Sequence, residues 1–442
     1  MKKYIFFVLM ACLVFATAQA GDKPGHVDYE VHELDNGLKV ILSEDHSVPI
    51  VAVDVWYHVG SGYEEKGRSG FAHLFEHMMF QGSENVDKAE HFQFVARAGG
   101  NCNGSTTEDR TNYYEWLPAN RLNFALWLEA DRMRSLAITE ENFENQRSTV
   151  KEERKQRVDN QPYGAAFLTS DTLSYDFEPY NHTVIGKMVD LDNAEVEDVQ
   201  NFFNMYYAPN NAVLAIVGDI DPNKAMKMVE EYFGDIPRGP EVKELAGEEP
   251  PHDGERRKTV DDANANVPAI FITFIIPTST HDDIPAIELL SSVLTEGESS
   301  RMYKRLVKEE EAALVVFGGA ESRKGPGIFR FIAASNMGVE IETCENLIYE
   351  EIEKIQNEGL SDKELTKAKT QFKANFIRNR QTVLNKAEAL QHYNYFSSSL
   401  DDINTELDNF MAVTMEDIIR VAKKYFIEQN RTVVIANPTS GG

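Results

Sequence analysis

Cysteine is nearly absent from this 442-residue chain, which has only Cys12, Cys102 and Cys344. So few cysteines exclude a disulfide framework, and their separation excludes a cysteine-based metal site. Cys102 and Cys344 are either one bridge or two free buried thiols. Basic charge is also scarce: Lys and Arg number 44 against 72 Asp and Glu, for a formal net charge of −28. That argues against nucleic acid or an anionic membrane surface as partner. It permits attraction of basic peptides, although a soluble, self-repelling acidic surface is the preferred reading. Long apolar runs are missing too. After the first twenty residues, nothing approaches the ~20 apolar residues of a membrane span.

What is present is globular. Apolar residues make up 42% of the chain, and its length suits two or more ordinary domains. The start, "MKKYIFFVLMACLVFATAQA", reads as a bacterial-type signal peptide over residues 1–20. Lys2 and Lys3 form its charged head, Tyr4 to Phe15 its apolar segment, and "AQA" its small-residue cleavage site before Gly21. Removing it takes two lysines and moves the net charge from −28 to −30. The expected location is periplasmic or secreted. "LMAC" before Cys12 gives a lipoprotein signal as the second choice, because its apolar segment would be very short.

Two halves resemble each other. "VEDVQNFFNMYYAPNNAVLAIV" from Val196 and "MEDIIRVAKKYFIEQNRTVVIA" from Met415 align without a gap at an offset of 219. Glu197, Asp198, Tyr206, Asn211 and Ile216 meet Glu416, Asp417, Tyr425, Asn430 and Ile435. Each copy reads as an amphipathic helix, a turn and an apolar strand. Strand, loop and helix also recur in order at the start of each half. A Pro-, Gly- and charge-rich stretch at 239–257 reads as a linker. The expected domains are therefore 22–238 and 258–442, of α+β class, with helices packed on one sheet face.

"FAHLFEHMMFQG" (Phe71 to Gly82) carries the chemistry. Ser69 is the expected helix cap and Gly82 the expected stop. Phe71, Leu74, Phe75, Met78 and Met79 form a core stripe, and His73, Glu76 and His77 centre on the opposite face. Two imidazoles one turn apart can reach one zinc ion, and a glutamate between them can take a proton from water without being a ligand. This H-x-x-E-H order is the inverzincin signature. A catalytic zinc requires a third protein ligand and an open position. Taken alone, the motif fits a solvated helical face as well as a zinc site.

Further residues resemble the pitrilysin/insulysin family of zinc peptidases, in particular its two-domain, mitochondrial-processing-peptidase-like branch. The family's third ligand is a glutamate about 76 positions after the second histidine. Glu153 stands at that spacing in "NQRSTVKEERKQR", with Arg147 and Val150 in the family's context. "GGNCNGSTTEDRTNYYEWLP" is similar to the strand that lines the family's active site, with Asn103 and Gly104 at the substrate-contact pair. There an extended peptide would add to an exposed strand edge. "EPYNHTVIGK" (Glu178 to Lys187) also resembles a family segment, without assigned chemistry. The resemblance implies two homologous domains, each an antiparallel sheet with helices on one face. It also implies a closed substrate chamber that two-domain chains complete as dimers.

Two departures stand out. The family's acidic residue seven before the third ligand is replaced by Gln146. In "GESSRMYKRLVKEEEAALVVFGG", the family's substrate-binding Arg and Tyr positions hold Val307 and Leu314, with Tyr303 and Arg305 out of register. The expectation is therefore an exported zinc metalloendopeptidase acting on peptides or unfolded polypeptides. Glu76 would be its base, His73, His77 and Glu153 its zinc ligands, and a related second subunit would supply the Arg and Tyr. A homodimer is the alternative assembly. A non-catalytic assembly subunit is the alternative function.

Overall fold

The computed structural model describes residues 25–245 and 247–439. The expected signal peptide with its cleavage site, and Cys12, lie outside them.

The first half runs β1 (Glu30–Glu33), β2 (Lys39–Glu44), β3 (Ile50–Tyr57), α1 (Phe71–Met78), α2 (Glu90–Arg97), β4 (Asn101–Thr106) and β5 (Thr111–Pro118). It continues with α3 (Leu122–Ser135), α4 (Glu140–Arg154), α5 (Gly164–Ser174), α6 (Met188–Asp192), α7 (Val196–Tyr206), β6 (Ala212–Gly218) and α8 (Pro222–Phe233). The second half runs β7 (Arg256–Asp262), β8 (Ala269–Ile276), α9 (Ile284–Thr295), β9 (Ala313–Glu321) and β10 (Gly327–Ser335). It ends with α10 (Ile341–Glu358), α11 (Asp362–Arg378), α12 (Val383–Phe396), α13 (Asp402–Ala412), α14 (Met415–Tyr425) and β11 (Arg431–Pro438).

Each half builds one sheet. The strand orders are β1-β2-β6-β3-β5-β4 and β7-β11-β8-β10-β9. All pairs are antiparallel except β2 with β6 and β7 with β11. The repeat seen in the sequence is therefore structural: α7 with β6 and α14 with β11 occupy matching places. Even their hydrogen bonds match. Asn211 Nδ2 donates to the carbonyls of Tyr206 and His58 at 2.9 and 3.4 Å. Asn430 Nδ2 donates to those of Tyr425 and Ile275, both at 2.8 Å. Each helix also starts with a capping box, Glu195 with Asp198 and Thr414 with Asp417.

The main core of the first half lies between one sheet face (Val51, Val53, Val55) and helices including α1, α3, α7 and α8. The other face is covered as well. Strands β3 (IVAVDVWY) and β6 (AVLAIVG) are almost entirely buried, the pattern of strands packed on both sides. That second cover is α12, from the second half. Its Val383, Ala387 and Leu390 pack on Ile41, Ala52, Val213, Ala215 and Val217 of the sheet. Gln391 Nε2 donates to the carbonyls of Asp54 and Val213 at 2.9 and 2.8 Å. Reciprocally, α5 of the first half lies on the second sheet, with Ala166 against Ala269, Phe271 and Val434. The helices expected on one face thus form the larger layer, and each half lends one helix to the other's second face. Cys102 and Cys344 are both buried free thiols, so no bridge joins the halves through them.

Among the described residues, no helix is long and apolar enough to cross a membrane.

Candidate active site

The five stripe residues of α1 (Phe71, Leu74, Phe75, Met78 and Met79) are at most 3% exposed, which turns His73, Glu76 and His77 away from the core. The helix ends differ from the sequence expectation. Ser69 does not cap it: its amide and hydroxyl both go to Asp190 Oδ2. The buried carboxylate of Glu64 takes the cap role instead, accepting the amides of Gly70 at 2.9 Å and Ala72 at 2.7 Å. The helix also stops at Met78, before Gly82, whose φ of 105° serves the following turn.

Helix α4 runs alongside α1 and carries Glu153. Its Oε2 lies 3.7 Å from His73 Nε2 and 3.2 Å from His77 Nε2. The three ligand atoms all fall within 4.8 Å of one another. Two imidazole nitrogens and one carboxylate oxygen are a donor set suited to catalytic zinc. Burial and the neighbouring His77 lower the His73 pKa to about 4, so this imidazole is neutral and able to ligate. The side chains of His73, His77 and Glu153 are 12%, 24% and 15% exposed, so the trio opens to one side. His73 Nδ1 is buried without a protein partner. Glu153 Oε1 is held by Arg157 Nη1 at 2.7 Å, from the π-helical turn Lys155–Asp159 that prolongs α4. Gln146 is buried and pairs with Asn145, so the carboxylate that the family resemblance implies at this position is absent.

Glu76 does not join the three ligand atoms. Its Oε2 accepts the Thr106 hydroxyl at 2.6 Å. Burial raises its pKa, and the Thr106 bond opposes that rise. Thr106 was not singled out in the sequence, though a signal existed. It lies two residues from Gly104 on β4, so alternation puts both on one face. Gly104 indeed packs against the site: a Cβ there would come 3.3 Å from Glu76 Cγ and 3.1 Å from Tyr113 Cδ1. Asn103 is exposed, and β4 is the edge strand of its sheet.

In the second half, Val307 packs against the core and Leu314 is exposed on β9. Tyr303 packs beside that core. Arg305 is occupied by carboxylates, Glu310, Glu350 and, at 3.9 Å, Glu351 among them.

Among the described residues one further group has metal-ligand types in proximity: His91, Glu115 and Glu129, all buried. Arg132 reaches both oxygens of Glu129 there. A fixed guanidinium inside the cluster opposes a second cation, so this is a buried Arg132–Glu129 ion pair beside two neutral groups.

Residues 39–186 match the family described as Insulinase (Peptidase family M16). Residues 193–372 match the Peptidase M16 inactive domain. The Zinc protease PqqE of Helicobacter pylori is 31% identical over 413 residues, covering 93% of each chain. The Uncharacterized zinc protease YmxG of Bacillus subtilis is 24% identical, over 91% of this chain and 96% of that one. A crystal structure of a protease from Helicobacter pylori superposes with a TM-score of 0.90 at 31% identity, over 93% of this chain and all (100%) of that one. The periplasmic protease PqqL of Escherichia coli shares the fold with a TM-score of 0.73 at 17% identity, and the match spans 47% of that chain.

Proposed function

This chain belongs to the insulinase family, peptidase family M16, and from that membership we propose that it is an exported zinc metalloendopeptidase hydrolysing peptides or unfolded polypeptides. The observation that carries the proposal is the convergence of His73 Nε2, His77 Nε2 and Glu153 Oε2 beside a separate carboxylate, Glu76. The names of its relatives agree on zinc proteolysis.

His73, His77 and Glu153 would hold the ion. When bound, zinc supplies Lewis acidity to the scissile carbonyl and to water. Glu76 accepts the proton of the attacking water and returns it to the leaving amine. The Thr106 hydroxyl orients the Glu76 carboxylate and favours its ionised form before the first of these transfers. Arg157 orients the free oxygen of Glu153. The substrate backbone adds to the edge of β4 near Asn103, and Gly104 leaves room beside Glu76. Such main-chain recognition selects extended, unfolded segments over particular side chains.

The two homologous halves, 22–238 with the metal site and 258–442 without one, form one wall of the chamber. A related second subunit supplies the arginine and tyrosine that stabilise the oxyanion. Supporting this, Arg305 is committed to carboxylates and Leu314 stands at the tyrosine position. Export is supported by the signal-like residues 1–20 and by the periplasmic PqqL relative.

The test is co-purification from the source cell, zinc analysis, and digestion of an unfolded polypeptide with and without chelator. The expected result is near-stoichiometric zinc, activity that chelator removes, and a partner required for full rate. A metal-free native protein overturns the peptidase reading in favour of a non-catalytic assembly subunit. Strong activity of the purified chain alone overturns the heterodimer.

A further inference from the structure

We propose that residues 182–194 form a strap that sets Glu153 against the histidine pair, with Arg154 as its main positioning residue. The proposal rests on the reading of His73, His77 and Glu153 as metal ligands. Those ligands sit on two helices far apart in the chain, and something must fix one helix against the other. Helix radius with side chains is about 5–6 Å, so rotating α4 by 10° moves a carboxylate about 1 Å. A metal site tolerates roughly half that.

The strap holds α4 along one face. Arg147, Lys151 and Arg154 recur at i, i+4 and i+7, which aligns them on the helix. Arg147 Nη1 donates to the carbonyl of Ala194 at 3.0 Å. Lys151 Nζ pairs with Asp192, and Arg154 Nη1 donates to the carbonyl of Gly186. Arg154 directly follows Glu153, so its tether fixes the azimuth of the ligand itself.

The same segment grips the start of α1. Asp190 accepts the Ser69 amide at 3.1 Å and the Ser69 hydroxyl, and the Lys187 amide donates to Ser69 Oγ at 3.0 Å. Gly186 is the junction. Its φ is +71°, and a Cβ there would lie 2.4 Å from the Gly70 amide nitrogen and the Ser69 carbonyl oxygen. Its own carbonyl meanwhile takes Arg154. One residue thus touches the backbone leading into the His73–His77 helix and the guanidinium beside Glu153. The segment "EPYNHTVIGK", without assigned chemistry in the sequence, acquires a role here.

The experiment measures the zinc dissociation constant of the metal-free full chain by chelator competition, alongside its metal-free melting temperature. Arg154→Ala should weaken zinc binding by about 10-fold or more, the low end of the effect known for groups that hold a metal ligand in place. Arg154→Lys should recover part of that. Arg134→Ala is the control: its guanidinium binds the Tyr232 carbonyl and Asp235 away from the strap, and zinc affinity should stay unchanged. If Arg154→Ala does not fold, Lys151→Ala gives the same readout from a more exposed position. Wild-type zinc affinity in the strap variants overturns the strap alone. So does a loss that Arg134→Ala reproduces at equal melting temperature. A wild-type chain with no zinc affinity overturns the metal site and this proposal with it.

Discussion

Replacing Glu76 with Gln separates the proposed base from the proposed ligands more cleanly than any other change at this site. The side chain stays isosteric, and an amide oxygen can still accept the Thr106 hydroxyl that Glu76 Oε2 accepts at 2.6 Å. Glu76 is not among the ligand atoms of His73, His77 and Glu153, so the zinc content should remain that of the wild type. What is lost is the proton acceptor. A positioned general base contributes roughly 10²–10⁴-fold. At ~1.4 kcal/mol per decade, this is about 3–6 kcal/mol of barrier. The assay is kcat and KM on an unfolded polypeptide for the assembled enzyme, with zinc measured on the same sample. The expected pattern is a fall in kcat with KM and zinc little changed. Retained activity refutes Glu76 as the base. Loss of zinc shows instead that Glu76 is a ligand.

Thr106→Val removes the hydrogen bond that opposes the raised Glu76 pKa, so the pKa rises further and the acid limb of kcat/KM moves to higher pH. A hydrogen bond to a charged group is worth about 1.5–3 kcal/mol, which corresponds to roughly one to two pH units; an unmoved limb removes Thr106 from the site's chemistry. Glu115 is fully buried and its pKa is raised from 4.5 to about 8. Between those values the folded state holds a proton that the unfolded state has lost, so this group's contribution to stability falls as pH rises from about 4.5 to about 8. Glu115→Gln should flatten that fall by up to ~4 kcal/mol in urea unfolding between pH 5 and 8, and curves parallel to the wild type would contradict it. Gln391→Ala strips two sheet carbonyls of their donor beneath α12 and should cost about 2–4 kcal/mol in urea unfolding, whereas a loss under 1 kcal/mol would show that α12 adds little to the fold.

Local patterns were legible wherever partners lie close in the chain. The α1 stripe and the polar triad opposite it follow from periodicity within a dozen residues, and the repeat follows from a gapless match of Val196–Val217 with Met415–Ala436. The cap of α1 did not follow, because its carboxylate arrives from Glu64 through a loop and Ser69 turns to Asp190. Thr106 escaped for the same reason: its partner is 30 residues away on another element. The reciprocal exchange of α5 and α12 left a trace in the unbroken apolar runs of β3 and β6. Those runs say that both sheet faces are covered, but not by what.

The sequence by itself determined the fold class, the duplication and which helix is proposed to carry the chemistry. These depend on hydrophobic period and residue type, which are properties of short segments. The resemblance to the family added Glu153, on a charged helix, as the proposed third ligand. Only the tertiary structure decided that Glu153 Oε2 faces His73 and His77 and that Glu76 leans towards Thr106. It likewise decided that Arg305 is spent on carboxylates. Each of these is a distance of a few ångströms between residues tens or hundreds of positions apart. Packing sets such distances, and no local pattern encodes them.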